Sequence, residues 1–325
     1  MTMTTSLSIA VLLPCRNEEA TIQAVVQAFR NALPDAVIYV YDNNSTDRTA
    51  QVAREAGAVV RWEPLVGKGN VVRRMFADVD ADAYVIADGD ATYDAASAPP
   101  MIDLLATHDL DMVVGIRRTE ESEAYRRGHR AGNRLLTSAV SWIFGRGFSD
   151  MLSGYRVLSR RYVKTFPVEA RGFEIETELT VHSLQMRFAT AEYPVLYRPR
   201  PAGSASKLHS VRDGLRILAT IVLLMKEERP FFFFSTLAAL LAVASLVLAY
   251  PVFMTYVATG FVPRLPTAVL AMGTMILAVL SFTCGVILDS VSRGRREAKF
   301  LFYLAFPAAR SGREIGDRLG SRRNR

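Results

Sequence analysis

Two uninterrupted apolar stretches, residues 231–259 and 267–288, constrain this chain more than any other feature. A helix needs about 20 apolar residues to cross the hydrocarbon layer, and each stretch meets that length. A short segment with Pro263, Arg264 and Pro266 separates them, so the pair predicts a helical hairpin in a bilayer. Lys226 and Arg229 precede it and Arg293, Arg295, Arg296 and Lys299 follow, against Arg264 in the loop. That asymmetry places both flanks on the cytoplasmic side. Residues 211–225 mix Arg212, Asp213 and Arg216 with Leu215, Ile217, Leu218, Ile221, Val222 and Leu224, the pattern of a helix lying on the bilayer surface.

Charge follows the same division. Residues 291–325 carry ten basic and three acidic side chains, which accounts for the net charge of +7 and leaves 29 of each sign elsewhere. A basic tail suits anionic lipid. The balanced remainder speaks against a nucleic-acid-binding core. Cys15 and Cys284 lie far apart in sequence and read as reduced thiols.

Ahead of the hairpin the chain alternates strand and helix patterns. The apolar run at 9–13 passes straight into Pro14-Cys15-Arg16-Asn17-Glu18, shows no cleavage-site pattern, and reads as a first strand. Helices are expected over 20–33 and from Ser45 or Thr46 to Gly57, then one after Gly67-Lys68-Gly69-Asn70. Strands are expected over 36–41, 58–62, 84–87 and 111–116. Such alternation means a doubly wound, mostly parallel α/β sheet.

In open α/β sheets ligands gather where the strands end. The strand at 84–87 ends in Asp88-Gly89-Asp90. Carboxylates at i and i+2 of an extended segment share a face and repel unless a cation lies between them. Hard oxygen donors suit Mg²⁺ or Mn²⁺, with substrate phosphates completing the shell. The bland alternative is a solvated acidic turn. Asn17 and Glu18 after the first strand and Asp42 after the second open onto the same crevice, Asp42 placed for a ribose or base edge. Ser45 and Asp47 read equally well as helix caps. Lys68 is a phosphate contact or a loop charge, since residues 67–70 lack Walker-loop spacing.

Farther on, Arg126, Arg127, His129, Arg130 and Arg134 precede an apolar run containing Trp142 and Phe144, too short to span a bilayer. Basic residues beside such a helix suit a membrane surface that gathers an anionic headgroup; a solvated basic helix is the plainer reading. Residues 173–188 read as an amphipathic helix in which Glu174 and Glu178 share a face and Glu176 does not. Capping explains some of these acids and leaves Glu176 as a site candidate. The loop at 202–207 ends in Lys207, which with Arg200 could close over phosphates or simply link two elements.

The order of these motifs, with Arg117, Asn133, residues 150–156, 172–176 and 203–207, resembles the inverting family 2 glycosyltransferases. The longer series is similar to the branch of dolichol-phosphate mannose synthases and bacterial polyprenyl-phosphate glycosyltransferases, over residues 8–229. The resemblance implies a GT-A fold that binds a nucleotide-sugar through a divalent metal held by Asp88 and Asp90. It implies donor contacts from Pro14, Asn17, Glu18, Asp42, Lys68, Gly89 and Lys207, and acceptor-phosphate contacts from Arg117, Arg126, Arg130, Ser153 and Arg200. Asp90, Arg117 and Arg130 are the catalytic candidates, with Asp150, Arg156, Glu176 and Thr92 as further site residues. Thr92 stands where the branch has glutamine, which leaves the third metal ligand open.

The expected product is a polyprenyl-phosphate monosaccharide, formed with inversion at the cytoplasmic membrane face from a UDP- or GDP-sugar. Alternatives are a hydroxyl-directed transferase making glycolipid or polysaccharide, and a non-catalytic membrane-tethered scaffold. The expected division is a catalytic domain over 1–209, in which residues 1–118 take the nucleotide-sugar and residues 119–209 the acceptor. An interfacial helix over 210–230, a hairpin over 231–290 with helices near 231–258 and 266–289, and a basic cytoplasmic tail over 291–325 follow. The partners are the donor, the lipid acceptor and the bilayer, without nucleic acid; homo-oligomerisation stays open.

Overall fold

The computed structural model describes residues 7–118, 148–172, 174–199, 219, 222–223, 225–227 and 229–308. These form two compact units, Met1–Leu218 with Lys299–Arg325, and Ala219–Ala298. The expected interfacial helix falls largely outside the described residues, as does the tail beyond 308.

In the first unit the strands are β1 (Ile9–Cys15), β2 (Val37–Asp42), β3 (Val59–Trp62), β4 (Ala83–Ile86), β5 (Met112–Arg118), β6 (Arg156–Ser159) and β7 (Thr190–Leu196). They make one sheet in the order β3-β2-β1-β4-β6-β5-β7. All pairings are parallel except those of β6, which runs antiparallel between β4 and β5. Helices α1 (Ile22–Ala32), α2 (Thr49–Glu55), α3 (Lys68–Asp78), α4 (Ala98–Thr107), α5 (Arg160–Thr165) and α6 (Ile175–Met186) cover it.

Burial on both faces explains the unbroken apolar run of β1. Val11, Leu13 and Cys15 join one core cluster with Ile22, Val26 and Phe29 of α1 and Met101 and Leu105 of α4. On the other face Phe76 of α3 meets Tyr84 and Phe166 edge to face, with centroids 6.4 and 6.2 Å away. Each such fully buried side chain contributes about 1.5–3 kcal/mol.

Strand β6 matters most for the site. Its first residue, Arg156, pairs with Ile86 of β4 and Val114 of β5. Antiparallel direction therefore starts β6 where β4 finishes, midway along β5, and runs the loop before it alongside Gly115 and Arg117. Helix α6 corrects the amphipathic expectation: every residue from Ile175 to Ser183 is buried. Packing on several sides demands that its acids find partners inside the fold.

Tyr303 is held in the same unit, at the opposite edge of the sheet. Its hydroxyl donates to Asp111 Oδ2 at 3.1 Å and its ring stacks on Phe188 at 4.9 Å. The Arg161 guanidinium lies 4.7 Å from the ring centroid and also binds Asp111. Tyr303→Phe keeps the stacking and removes one bond to a buried carboxylate. The expected loss is about 1.5–3 kcal/mol, read from thermal unfolding; an unchanged midpoint would refute it.

Helices α7 (Pro230–Thr259) and α8 (Leu265–Leu304), of which α7 and residues 265–298 of α8 belong to the second unit, are both long and apolar enough to cross a membrane. The second helix does not stop near 289 as expected but runs to Leu304. No proline interrupts residues 290–304, and Asp289 and Arg293 pair at i and i+4 across the expected end. The buried positions of α8 are Ala271, Ala278, Gly285 and Ser292, a seven-residue repeat of small side chains. Ala238 and Ser245 of α7 repeat the spacing, and Ser245 Oγ donates to Ala271 O at 2.7 Å. Small residues allow close backbone approach between apolar helices. A Cβ on Gly285 would lie 2.9 Å from Phe234 Cβ.

Candidate active site

The ends of β1 and β2 are laced together by side chains. Asn17 has a positive φ of 51°; its N–H donates to Ser45 Oγ at 2.9 Å and its Oδ1 accepts from Thr46 N at 2.7 Å. Buried Glu18 gives its N–H to Thr49 Oγ1 at 2.8 Å. Pro14 sits in the strand itself, in register with Tyr41. Asp47 accepts from Thr49 N at 3.0 Å and so caps α2, the plainer of its two readings. Asp42 Oδ2 accepts from Ser45 N at 3.3 Å, while its buried Oδ1 has no hydrogen-bond partner among the described residues. A buried acceptor left unmatched is costly and marks a position suited to a donor group on a ligand.

At the end of β4 the Asp88-Gly89-Asp90 turn is held from both sides. Thr21 Oγ1, at the start of α1, donates to Gly89 O at 2.8 Å. A Cβ at Gly89 would lie 2.5 Å from Cys15 Sγ, so a side chain here would push the turn off β1. Asp90 is buried, and its Oδ1 accepts from Thr92 N at 3.2 Å and Thr92 Oγ1 at 2.6 Å. Ala91 between them has φ 59°, a left-handed conformation costly for a residue with a Cβ. Such strain gathers at functional turns and needs surrounding contacts to persist.

Asp88 Oδ1 binds Lys68 Nζ at 2.5 Å, and the same ammonium reaches Glu176 Oε1 at 2.6 Å. Burial opposes the charge on Lys68, but the two carboxylates overcome it and hold its pKa above the ordinary lysine value. Gly154 leaves the room: a Cβ there would lie 2.7 Å from Asp88 Oδ2 and 3.1 Å from Lys68 Nζ. Glu174 and Glu178 are occupied differently. Glu174 accepts from Arg171 N and Gly172 N, and Glu178 from Glu169 N and Ala170 N, so both cap backbone and Glu176 alone turns to Lys68.

A divalent cation fits this donor chemistry. Asp88 and Asp90 offer carboxylate oxygens on one turn, and Asp88 already accepts a cationic group. No group of three or more His, Cys, Asp or Glu that could hold a metal occurs among the described residues. Thr92 acts on Asp90, whose carboxylate it orients.

The loop before β6 supplies the other wall. Arg117, near the end of β5, forms a bidentate pair with Asp150, Nε to Oδ2 and Nη2 to Oδ1, both at 2.7 Å. Its guanidinium lies 5.5 Å from the Tyr197 ring centroid. Ser153 is fully buried and donates to Gly115 O, so its hydroxyl ties the loop to β5 where a phosphate contact was expected. Arg156 is also fully buried; it donates to Ser153 O, Met151 O, Glu176 O and Thr180 Oγ1 at 3.0, 2.6, 2.9 and 2.9 Å. It joins the loop to α6 from inside the protein. Arg126, Arg130, Arg200 and Lys207 lie outside the described residues.

Two contributors escaped the sequence reading. Thr21 holds Gly89 from 68 residues away. Tyr93 accepts from Gly154 N at 3.0 Å while its ring packs on Tyr155 and Tyr197 at 5.3 and 5.2 Å. No local pattern marks either one: Thr21 falls within the helix expected over 20–33, and Tyr93 lies three positions after Asp90.

A mostly parallel sheet with a paired-carboxylate turn after a central strand fits a GT-A glycosyltransferase. The chain belongs to glycosyl transferase family 2, whose family model matches residues 10–166. The glycosyltransferase AglJ of Haloferax volcanii is 33% identical over 297 residues, covering 91% of this chain and 97% of the relative. A dolichyl-phosphate hexose transferase of the same organism is 31% identical over 231 residues, 70% of this chain and 99% of that protein. Among solved structures, glucosyl-3-phosphoglycerate synthase from Mycobacterium tuberculosis, in complex with Mn²⁺, UDP-glucose and phosphoglyceric acid, superposes with a TM-score of 0.55 at 25% identity. That match covers 67% of this chain and 79% of the other.

Proposed function

We propose that this glycosyltransferase moves a sugar from a UDP- or GDP-sugar to a polyprenyl phosphate, with inversion, at the cytoplasmic face of a membrane. The observation that carries this reading is the presence, in one chain, of the Asp88 and Asp90 turn and two helices long and apolar enough to cross a bilayer. The dolichyl-phosphate hexose transferase relative supports the lipid acceptor, and the Mn²⁺ and UDP-glucose in the solved neighbour support the donor side.

A divalent cation held by Asp88 and Asp90 would, when bound, neutralise the departing diphosphate. The chain's own groups do the rest. Asp42 Oδ1 accepts from the nucleoside, and Lys68 lies beside Asp88 as a second positive charge for the diphosphate. Arg117, held by Asp150, receives the acceptor phosphate together with Arg126, Arg130 and Arg200; Lys207 closes on the donor phosphates. A phosphate monoester has a second pKa near ~6, so at neutral pH it attacks as an anion without a base. Catalysis is then positioning and electrostatics.

Incubation with a panel of UDP- and GDP-sugars and undecaprenyl phosphate is expected to yield one lipid-phosphate monosaccharide identified by mass. Transfer only to hydroxyl acceptors would overturn the reading. Arg117→Ala is expected to raise the acceptor KM and lower kcat/KM roughly ten- to a hundredfold, the equivalent of about 1.5–3 kcal/mol for a charge-assisted contact. Lysine cannot reproduce the two-pronged bond to Asp150 and should rescue poorly. An unchanged acceptor kcat/KM would remove Arg117 from the site.

A further inference from the structure

The Lys68 ammonium joins two carboxylates that belong to different regions of the fold, Asp88 after β4 and Glu176 on α6. The side chains of Lys68 and Glu176 are 10% and 8% exposed, while that of Asp88 is 30% exposed and open to the crevice. Glu174 and Glu178 accept instead from backbone N–H groups of residues 169–172, in the loop before α6. The Glu176 carboxylate is committed to Lys68 on α3, which is remote in sequence. A buried acid survives inside a helix packed on several sides when it neutralises a buried base.

We propose that Glu176 is a positioning residue that draws Lys68 partly off Asp88, and that this triad sets how tightly the site takes a divalent cation. The proposal rests on the reading of Asp88 and Asp90 as metal ligands. Lys68 and the cation compete for the same carboxylate, and Glu176 shifts that competition toward the cation by offering the ammonium a second seat. Once diphosphate enters, the ammonium can turn toward it without leaving Glu176, and Asp88 is released to the cation. Gly154 keeps open the space in which this exchange takes place.

Two substitutions at one ion pair should act in opposite directions. Lys68→Met removes the competitor and leaves Asp88 and Glu176 uncompensated, so Mn²⁺ should bind about tenfold more tightly, the scale expected for a unit charge close to a partly buried divalent ion. Glu176→Gln returns Lys68 wholly to Asp88, so Mn²⁺ should bind about tenfold more weakly. The double variant should return to within roughly threefold of the native chain, since the two effects belong to one coupled pair.

The full chain in detergent, with UDP and in a parallel arm GDP, would be titrated with Mn²⁺ while the free ion is followed by electron paramagnetic resonance. Thermal unfolding of each variant checks that it is folded. Should Lys68→Met fail to fold, the isosteric Glu176→Gln still carries the sign. A purely structural role would lower the unfolding midpoint and leave Mn²⁺ affinity alone, or shift it in the same direction in both single variants; either result overturns the proposal. If the native chain binds Mn²⁺ and no variant differs, the positioning role alone falls. If the native chain binds none with either nucleotide, the metal reading falls and takes this proposal with it.

Discussion

Asp90→Asn is expected to lower turnover by at least about a thousandfold, the scale of several kcal/mol that a metal-held charge contributes. The fold should persist, because asparagine has nearly the same volume and Asp90 is buried at the end of a strand. The loss is specific to charge and orientation. Thr92 directs two donors, its N–H and its hydroxyl, at Oδ1 of Asp90. In the asparagine variant the oxygen would satisfy them, and an amide nitrogen would replace the second carboxylate oxygen. A positive edge would then replace a negative one. Steady-state kinetics in Mg²⁺ and Mn²⁺, with far-UV spectra to confirm folding, would measure the effect. Full activity of the variant, or of the native chain in excess EDTA, would refute the metal assignment.

Arg156→Met is expected to cost about 3–5 kcal/mol of stability, the loss of several buried hydrogen bonds from a charged donor. Methionine fills much of the volume but donates nothing. The carbonyls of Met151, Ser153 and Glu176 would then be buried without their guanidinium donor. A buried acceptor left unmatched costs roughly 1–3 kcal/mol before relaxation; the Met151 and Glu176 carbonyls keep the Thr180 hydroxyl, and Ser153 O loses its guanidinium donor. The loop that presents Asp150 and Gly154 would loosen from α6, so activity should fall as well. Chemical denaturation of the purified chain reports the first effect; a change below about 1 kcal/mol would show that Arg156 is dispensable. On sequence alone this arginine was a candidate site residue. Its burial makes it the support on which the site is mounted.

The sequence by itself carried the alternation of strands and helices, the two apolar helices and the Asp88-Gly89-Asp90 turn, because each is a local pattern. Burial on both faces writes an apolar run into a strand, and a bilayer writes one of about 20 residues into a helix. It also separated Glu176 from Glu174 and Glu178, since helical spacing alone assigns their faces. What it could not carry are relations between distant segments. The antiparallel course of β6 places residues 150–155 alongside Gly115 and Arg117, and nothing within 156–159 states that direction. Thr21 on Gly89, Tyr93 on Gly154 and Lys68 between Asp88 and Glu176 all join residues distant in the chain. Ser153 reads as a phosphate-binding hydroxyl until the fold buries it against Gly115 O. A side chain's partners depend on which elements the packed core brings together, and only the tertiary structure decides that.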